Sequence, residues 1–139
     1  MTKGSREAIY EKSLGLLRTV LWQQQCDVLV DATEWEAIRR FASEQALNGI
    51  IPDALLLLPQ ESMPPKAIKM QMIAEQLHVQ QVNEHMNNVL LEFTVELARM
   101  GIPYVLMKGQ GVASYYPYPL HRVSGDIDIY VPIQHFPIV

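Results

Sequence analysis

The stretch from about Pro65 to Met100 constrains the fold most. Ile68, Met72, Val79, Val82, Met86, Val89, Leu90, Phe93, Leu97 and Met100 recur every three or four residues, the period of one helix face. Pro64 and Pro65 open the pattern and Gly101 supplies a stop. At about 1.5 Å per residue such a helix is on the order of 50 Å long. That exceeds the width of a small domain, so the helix is expected to bridge two regions. Its polar side is rich in amides: Gln76, Gln80, Gln81, Asn83, Asn87 and Asn88.

Upstream the chain also reads as helix. Ser5 is a candidate cap for a first helix to about Gln24, with Tyr10, Leu14, Leu17 and Leu21 as its stripe and Leu16 and Val20 beside them. Thr33 and Glu36 have capping-box spacing, and Trp35, Ile38, Phe41, Ala42 and Ala46 continue a second helix to Asn48-Gly49. Pro52 suits the first turn of a short third helix, Asp53 to Leu58, closed by Pro59. Gln60 to Met63 is the linker candidate, and no internal repeat is apparent. Residues 1–100 are therefore expected to form a helical region.

Residues 101–139 have a different character. Ile102 to Met107 is a short apolar run that reads as a buried strand, ended by Lys108-Gly109. Gln110 to Tyr116 suits two helical turns, stopped by Pro117 and Pro119. Gly109 and Gly111 thus fall at a strand-to-helix turn whose backbone N–H groups would face an anion. After a loop from Leu120 to Gly125, Asp126-Ile127-Asp128-Ile129-Tyr130-Val131 alternates with the period of a strand. Carboxylates at i and i+2 on a strand lie roughly 7 Å apart and face one way. Such a pair suits magnesium, which takes oxygen ligands and completes its shell with water and phosphate. The glycine turn and the acids meet at one sheet edge only if the two strands run antiparallel.

These residues carry a resemblance. Met107-Lys108-Gly109, Tyr116-Pro117, Arg122 and Asp126-Ile127-Asp128, after a long helix and a Gly-Ile-Pro lead, resemble the uncharacterised bacterial nucleotidyltransferases of the DNA polymerase beta-like superfamily. The likeness spans nearly the whole chain. It implies that Asp126 and Asp128 are catalytic and bind two Mg2+ ions, and that Lys108, Gly109 and Arg122 bind a nucleoside triphosphate. The chain departs from the superfamily in having Lys108-Gly109 where Gly-Ser is more common. Superfamily members also carry a third carboxylate on a later strand, whereas no Asp or Glu follows Asp128 here. The chain is therefore expected to be an N-terminal fragment, inactive by itself, with residues 101–139 an incomplete catalytic core. The implied fold is α+β: a mainly helical N-terminal region leading into a truncated core, with a two-stranded antiparallel start of a mixed sheet.

Several of these residues have other readings. Lys108 suits either a phosphate or a capped sheet edge, and Arg122 either the triphosphate or an ion pair with Asp126 or Asp128. Tyr115, Tyr116 and Tyr118 read as loop packing rather than base stacking. His78 and His85 lack a third ligand, and His121 has no informative spacing. Ser124 and Gly125 read as turn residues.

Composition narrows the function classes. With 49% hydrophobic and 19% charged residues the chain is globular. A net charge of -4 does not indicate nucleic acid as partner. Cys26 is the single cysteine, no apolar signal segment opens the sequence, and no run approaches membrane-span length, so the expectation is a cytoplasmic protein. The acceptor is unknown and an oligomer is compatible with the sequence. Two rivals remain: a non-catalytic nucleotide-binding or regulatory module of the same fold, and a glycosyltransferase, which also uses Asp-x-Asp. The helical lead disfavours the latter, whose motif follows an alternating strand and helix domain.

Overall fold

The computed structural model describes residues 3–136. Helix α1 (Lys3–Trp22) is followed by an irregular segment and helix α2 (Trp35–Glu44). The 3-10 turns Ile51–Leu56 and Gln60–Ser62 then lead to the long helix α3 (Lys66–Arg99). Strand β1 (Val105–Met107), helix α4 (Gly109–Ala113), a 3-10 turn (Pro119–His121), strand β2 (Asp128–Tyr130) and a last 3-10 turn (Ile133–His135) complete it. The architecture is α+β, and β1 pairs antiparallel with β2. Among the described residues no helix is long and apolar enough to cross a membrane.

Two buried clusters organise these elements. The larger joins Ile9, Leu16 and Val20 of α1 to Trp35, Ile38 and Ala42 of α2, to Ile50, Ile51, Ala54 and Leu55, and to Met72 of α3. The smaller joins Leu97 at the far end of α3 to Ile102 and Val131 beside the sheet. Thus α3 contributes a side chain to both, and its stretch from Met72 to Leu97 sets the distance between them. Trp35, fully buried, also donates its indole N–H to the Ser62 carbonyl at 3.0 Å, tying α2 to the segment that enters α3.

Several local expectations are corrected. Ser5 lies inside the first turn of α1, and the buried line runs through Ile9, Ser13, Leu16 and Val20, leaving Tyr10 half exposed. Ser13 is accommodated there because its hydroxyl donates to the Ile9 carbonyl at 2.7 Å. The Thr33 and Glu36 capping box does not form. Glu34 takes that role two residues earlier, accepting the Asp31 N–H at 2.8 Å while pairing with Lys12. Helix α2 ends at Glu44, before Asn48-Gly49, because Ala46 adopts a positive φ of 56°. The third helix is a 3-10 turn beginning at Ile51 rather than Asp53.

The strands are also shorter than their sequence patterns. Pairing matches Val105 with Tyr130, Leu106 with Ile129 and Met107 with Asp128. At Lys108 the backbone turns away with φ 43°, so Ile127 and Asp126 have no partner across the ladder. Nor is β1 a buried strand: Val105 and Met107 are exposed, and Leu106 alone faces a neighbour, packing against Gly111 of α4. A two-stranded sheet covers one face of its members at most.

Candidate functional site

The site is assembled at the end of the sheet where β1 gives way to α4. Lys108, at φ 43° and ψ -151°, lies next to the backbone region that glycine alone enters freely. Gly109 follows at φ 39°, and a Cβ there would sit 2.9 Å from the Asp126 carbonyl oxygen. That close approach seats the segment before β2 directly on the glycine turn. Across the turn, Lys108 Nζ stands 3.5 Å from Asp128 Oδ2. Arg122 Nη1 donates to the Gly109 carbonyl at 3.3 Å and to Ser124 Oγ at 3.0 Å. Lys108, Gly109, Arg122 and Asp128 therefore gather at one rim, with the Asp126 backbone carbonyl beside them.

Their arrangement differs from the simple strand picture in two respects. Strand alternation fixes Asp128, at the first position of β2, but Asp126 precedes the strand, and its place comes from the contact of its carbonyl with Gly109. The helix after the turn is five residues long, Gly109–Ala113, and not the two turns expected to Tyr116, because Ser114 to Tyr116 continue as turns. Arg122 pairs with neither aspartate. Its guanidinium lies over the Tyr116 ring at 5.9 Å, and its Nη1 fastens the loop to the glycine turn. Tyr118 stacks on His121 at 5.4 Å, which places that aromatic in loop packing.

Asp128 bears directly on whether a metal suits this rim. Its Oδ2 is buried and makes no hydrogen bond, although the side chain as a whole is 30% exposed. A buried carboxylate oxygen without a hydrogen bond costs about 1–3 kcal/mol, which the Lys108 ammonium at 3.5 Å offsets only in part because that side chain is largely exposed. A hard cation that takes oxygen ligands would remove that penalty, so the donor chemistry fits magnesium. Among the described residues no group of three His, Cys, Asp or Glu is arranged around a common metal position. Water and phosphate oxygens would have to complete the shell of an ion held by Asp126 and Asp128.

Polar residues from the helical region hold this rim in place, and most of them carry little mark of that role in the sequence. Asn83 of α3 is 1% exposed and donates to the carbonyls of Leu120 and Arg122 at 2.7 and 2.8 Å. Gln76, two turns earlier on the same helix face, donates to Gly49 O and Asp53 Oδ1. His121 Nδ1 lies 2.9 Å from both oxygens of the buried Asp53 carboxylate. Burial pushes the Asp53 carboxyl above its ordinary range, opposed by its hydrogen bonds with His121 and Gln76. Gly49 has a steric role: a Cβ there would fall 2.0 Å from the His121 carbonyl oxygen. The available signal was the seven-residue spacing of Gln76 and Asn83 within the amide-rich side of α3. His121 gave none.

The chain is thus an α+β protein in which a glycine turn after one strand and acids at the start of the next share a sheet edge, the edge itself fixed to a long helix. Residues 31–139 match the family described as Uncharacterised nucleotidyltransferase, and the chain belongs to that family. No curated protein and no solved structure shows significant similarity to it.

Proposed function

We propose that this rim is the metal and nucleotide side of a nucleotidyl-transfer site of the DNA polymerase beta-like kind. Asp126 and Asp128 hold magnesium, two ions being the expected complement, and the Lys108-Gly109 turn receives the triphosphate. Bound magnesium would neutralise polyphosphate charge and polarise the attacking and leaving oxygens. Lys108 supplies a positive charge beside the phosphates, and Arg122, with Nη1 engaged at Gly109, keeps the turn at a fixed distance from the acids. An acceptor hydroxyl oxygen forms the new bond to the α-phosphorus. The bond to the β-phosphate bridging oxygen breaks, pyrophosphate leaves with that electron pair, and the hydroxyl proton passes to solvent.

The observation that carries this reading is the buried Oδ2 of Asp128, which makes no hydrogen bond and lies beside the Lys108 ammonium and the glycine turn. Family membership supports a nucleoside triphosphate as the substrate. Titrating ATP, GTP, CTP and UTP separately, with magnesium and with EDTA, tests it. At least one nucleotide should bind in a magnesium-dependent way, and Asp128→Asn should weaken it on the order of tenfold or more, a change of about 1.4 kcal/mol. Binding that ignores both magnesium and Asp128→Asn would refute the assignment. Magnesium-dependent binding without pyrophosphate release from the intact protein would assign the fold to a non-catalytic nucleotide-binding module.

A further inference from the structure

We propose that Asn83 is a positioning residue for the nucleotide site, and that α3 sets the geometry of that site through it. The inference rests on the nucleotide reading above and extends it to a residue with no place in the proposed chemistry.

Asn83 is a costly choice for its position. Asparagine is a weak helix former, and a buried amide without partners is penalised by roughly 1–3 kcal/mol. Its neighbours Val82, Glu84 and His85 are exposed, yet Asn83 is 1% exposed. Both of its side-chain polar atoms have partners. Both Nδ2 protons go to backbone carbonyls on either side of His121, those of Leu120 and Arg122. Its Oδ1 accepts from Gln110 Nε2 at 3.3 Å.

The chain of bonds continues to the rim. Gln110 Oε1 accepts from Ser124 Oγ at 3.1 Å, Ser124 Oγ accepts from Arg122 Nη1, and Arg122 Nη1 reaches Gly109. One neutral amide on a rigid helix thereby locates the loop backbone, the first residue after the glycine and the guanidinium that holds the turn. An apolar residue would fill this volume without any amide to satisfy, so bulk alone does not account for Asn83. What the amide adds is a fixed distance between α3 and the segment carrying Arg122, and functional sites lose activity when such supports slip by about half an ångström.

The test compares wild type with Asn83→Leu, which keeps the volume and removes both donors, and with Asn83→Ser, which restores one short donor. Three quantities are measured in the whole chain: the melting temperature, amide hydrogen exchange, and affinity for magnesium with each of ATP, GTP, CTP and UTP. In Asn83→Leu, exchange in residues 118–124 should accelerate about tenfold while α2 is unchanged, and nucleotide affinity should fall by a similar factor. Asn83→Ser should recover part of both. Exchange in 118–124 that rises no more than in α2, or a loosened loop with unchanged nucleotide affinity, would overturn the inference. If Asn83→Leu fails to fold, Asn83→Ser carries the same comparison. Nucleotide titration of the wild type alone decides the parent reading, so failure of the two is told apart.

Discussion

Lys108 offers the sharpest test of whether the rim is built for a side chain or merely for a turn. Its φ of 43° with ψ -151° is strained for any residue with a Cβ, at about 1–3 kcal/mol. Replacing it with glycine removes that strain but adds about 0.4–1 kcal/mol of unfolded-chain entropy, leaving a net gain near 1 kcal/mol. Replacing it with alanine keeps the strain. Both variants lose the contact with Asp128, in which the lysine side chain is 73% exposed, and a surface pair of this sort contributes at most a few tenths of a kcal/mol. For a chain of 139 residues, Lys108→Gly should therefore melt about 3–5 °C above Lys108→Ala, which should match wild type. If the lysine charge serves phosphate, both variants should lose nucleotide affinity on the order of tenfold. Differential scanning calorimetry and magnesium-nucleotide titration on the three proteins measure both effects. Glycine and alanine variants with equal melting temperatures would refute the strain argument, and undiminished affinity in both would remove Lys108 from the site.

Two other perturbations probe the supports of the rim. Gly49→Ala forces a methyl into the His121 carbonyl, and relief requires the 119–122 segment to lift away from α3. Overpacking of this kind costs about 1–3 kcal/mol, so urea unfolding should show a clear loss, and an unchanged midpoint would mean the segment is not held there. Glu34 gives a pH dependence: desolvation raises its carboxyl pKa, but the hydrogen bonds from Lys12 and the Asp31 N–H, with the Lys12 charge, outweigh it and leave it below the usual value. A lowered folded pKa stabilises above the unfolded value and fades as pH falls through the folded one. Glu34→Gln should thus be less stable than wild type by about 1 kcal/mol at pH 7 and equal to it near pH 2, by urea unfolding at both. A difference that persists unchanged in acid would contradict the assignment.

What was legible in the sequence was what depends on local period. The long helix was plain because its apolar residues repeat over many turns, and the glycine turn was plain because Lys108-Gly109 interrupts an apolar run. The antiparallel pairing followed from requiring that the turn and the acids meet. The strand ends were not legible, because Asp126 and Ile127 keep perfect alternation while their pairing partner is removed by the turn at Lys108. The buried line of α1 was misplaced by one residue because Ser13 can enter a core once its hydroxyl is bonded to the preceding helical turn. The supports of the site were hidden for a different reason. Asn83 to Arg122 and Asp53 to His121 are separated by 39 and 68 residues, and no periodicity marks partners at that range.

The chemistry of those supports follows from the charges they serve. The rim already holds Lys108, Arg122 and Asp128, with the Asp126 backbone carbonyl beside them. In the proposed reaction it must also receive divalent cations and a polyanionic triphosphate. A tether made with another carboxylate would compete for Lys108 and Arg122, and one made with another lysine would compete for the acids, since charges a few ångströms apart interact by about 4 kcal/mol near a protein surface. Amides avoid both. Asn83 and Gln110 bond backbone carbonyls, a hydroxyl and each other without altering the local potential. The one support that uses an acid, Asp53 with His121, keeps that carboxyl buried. Converting Asn83 to aspartate should therefore do more harm than converting it to leucine, because a carboxylate there would face two carbonyl oxygens and draw Arg122 from the Gly109 turn.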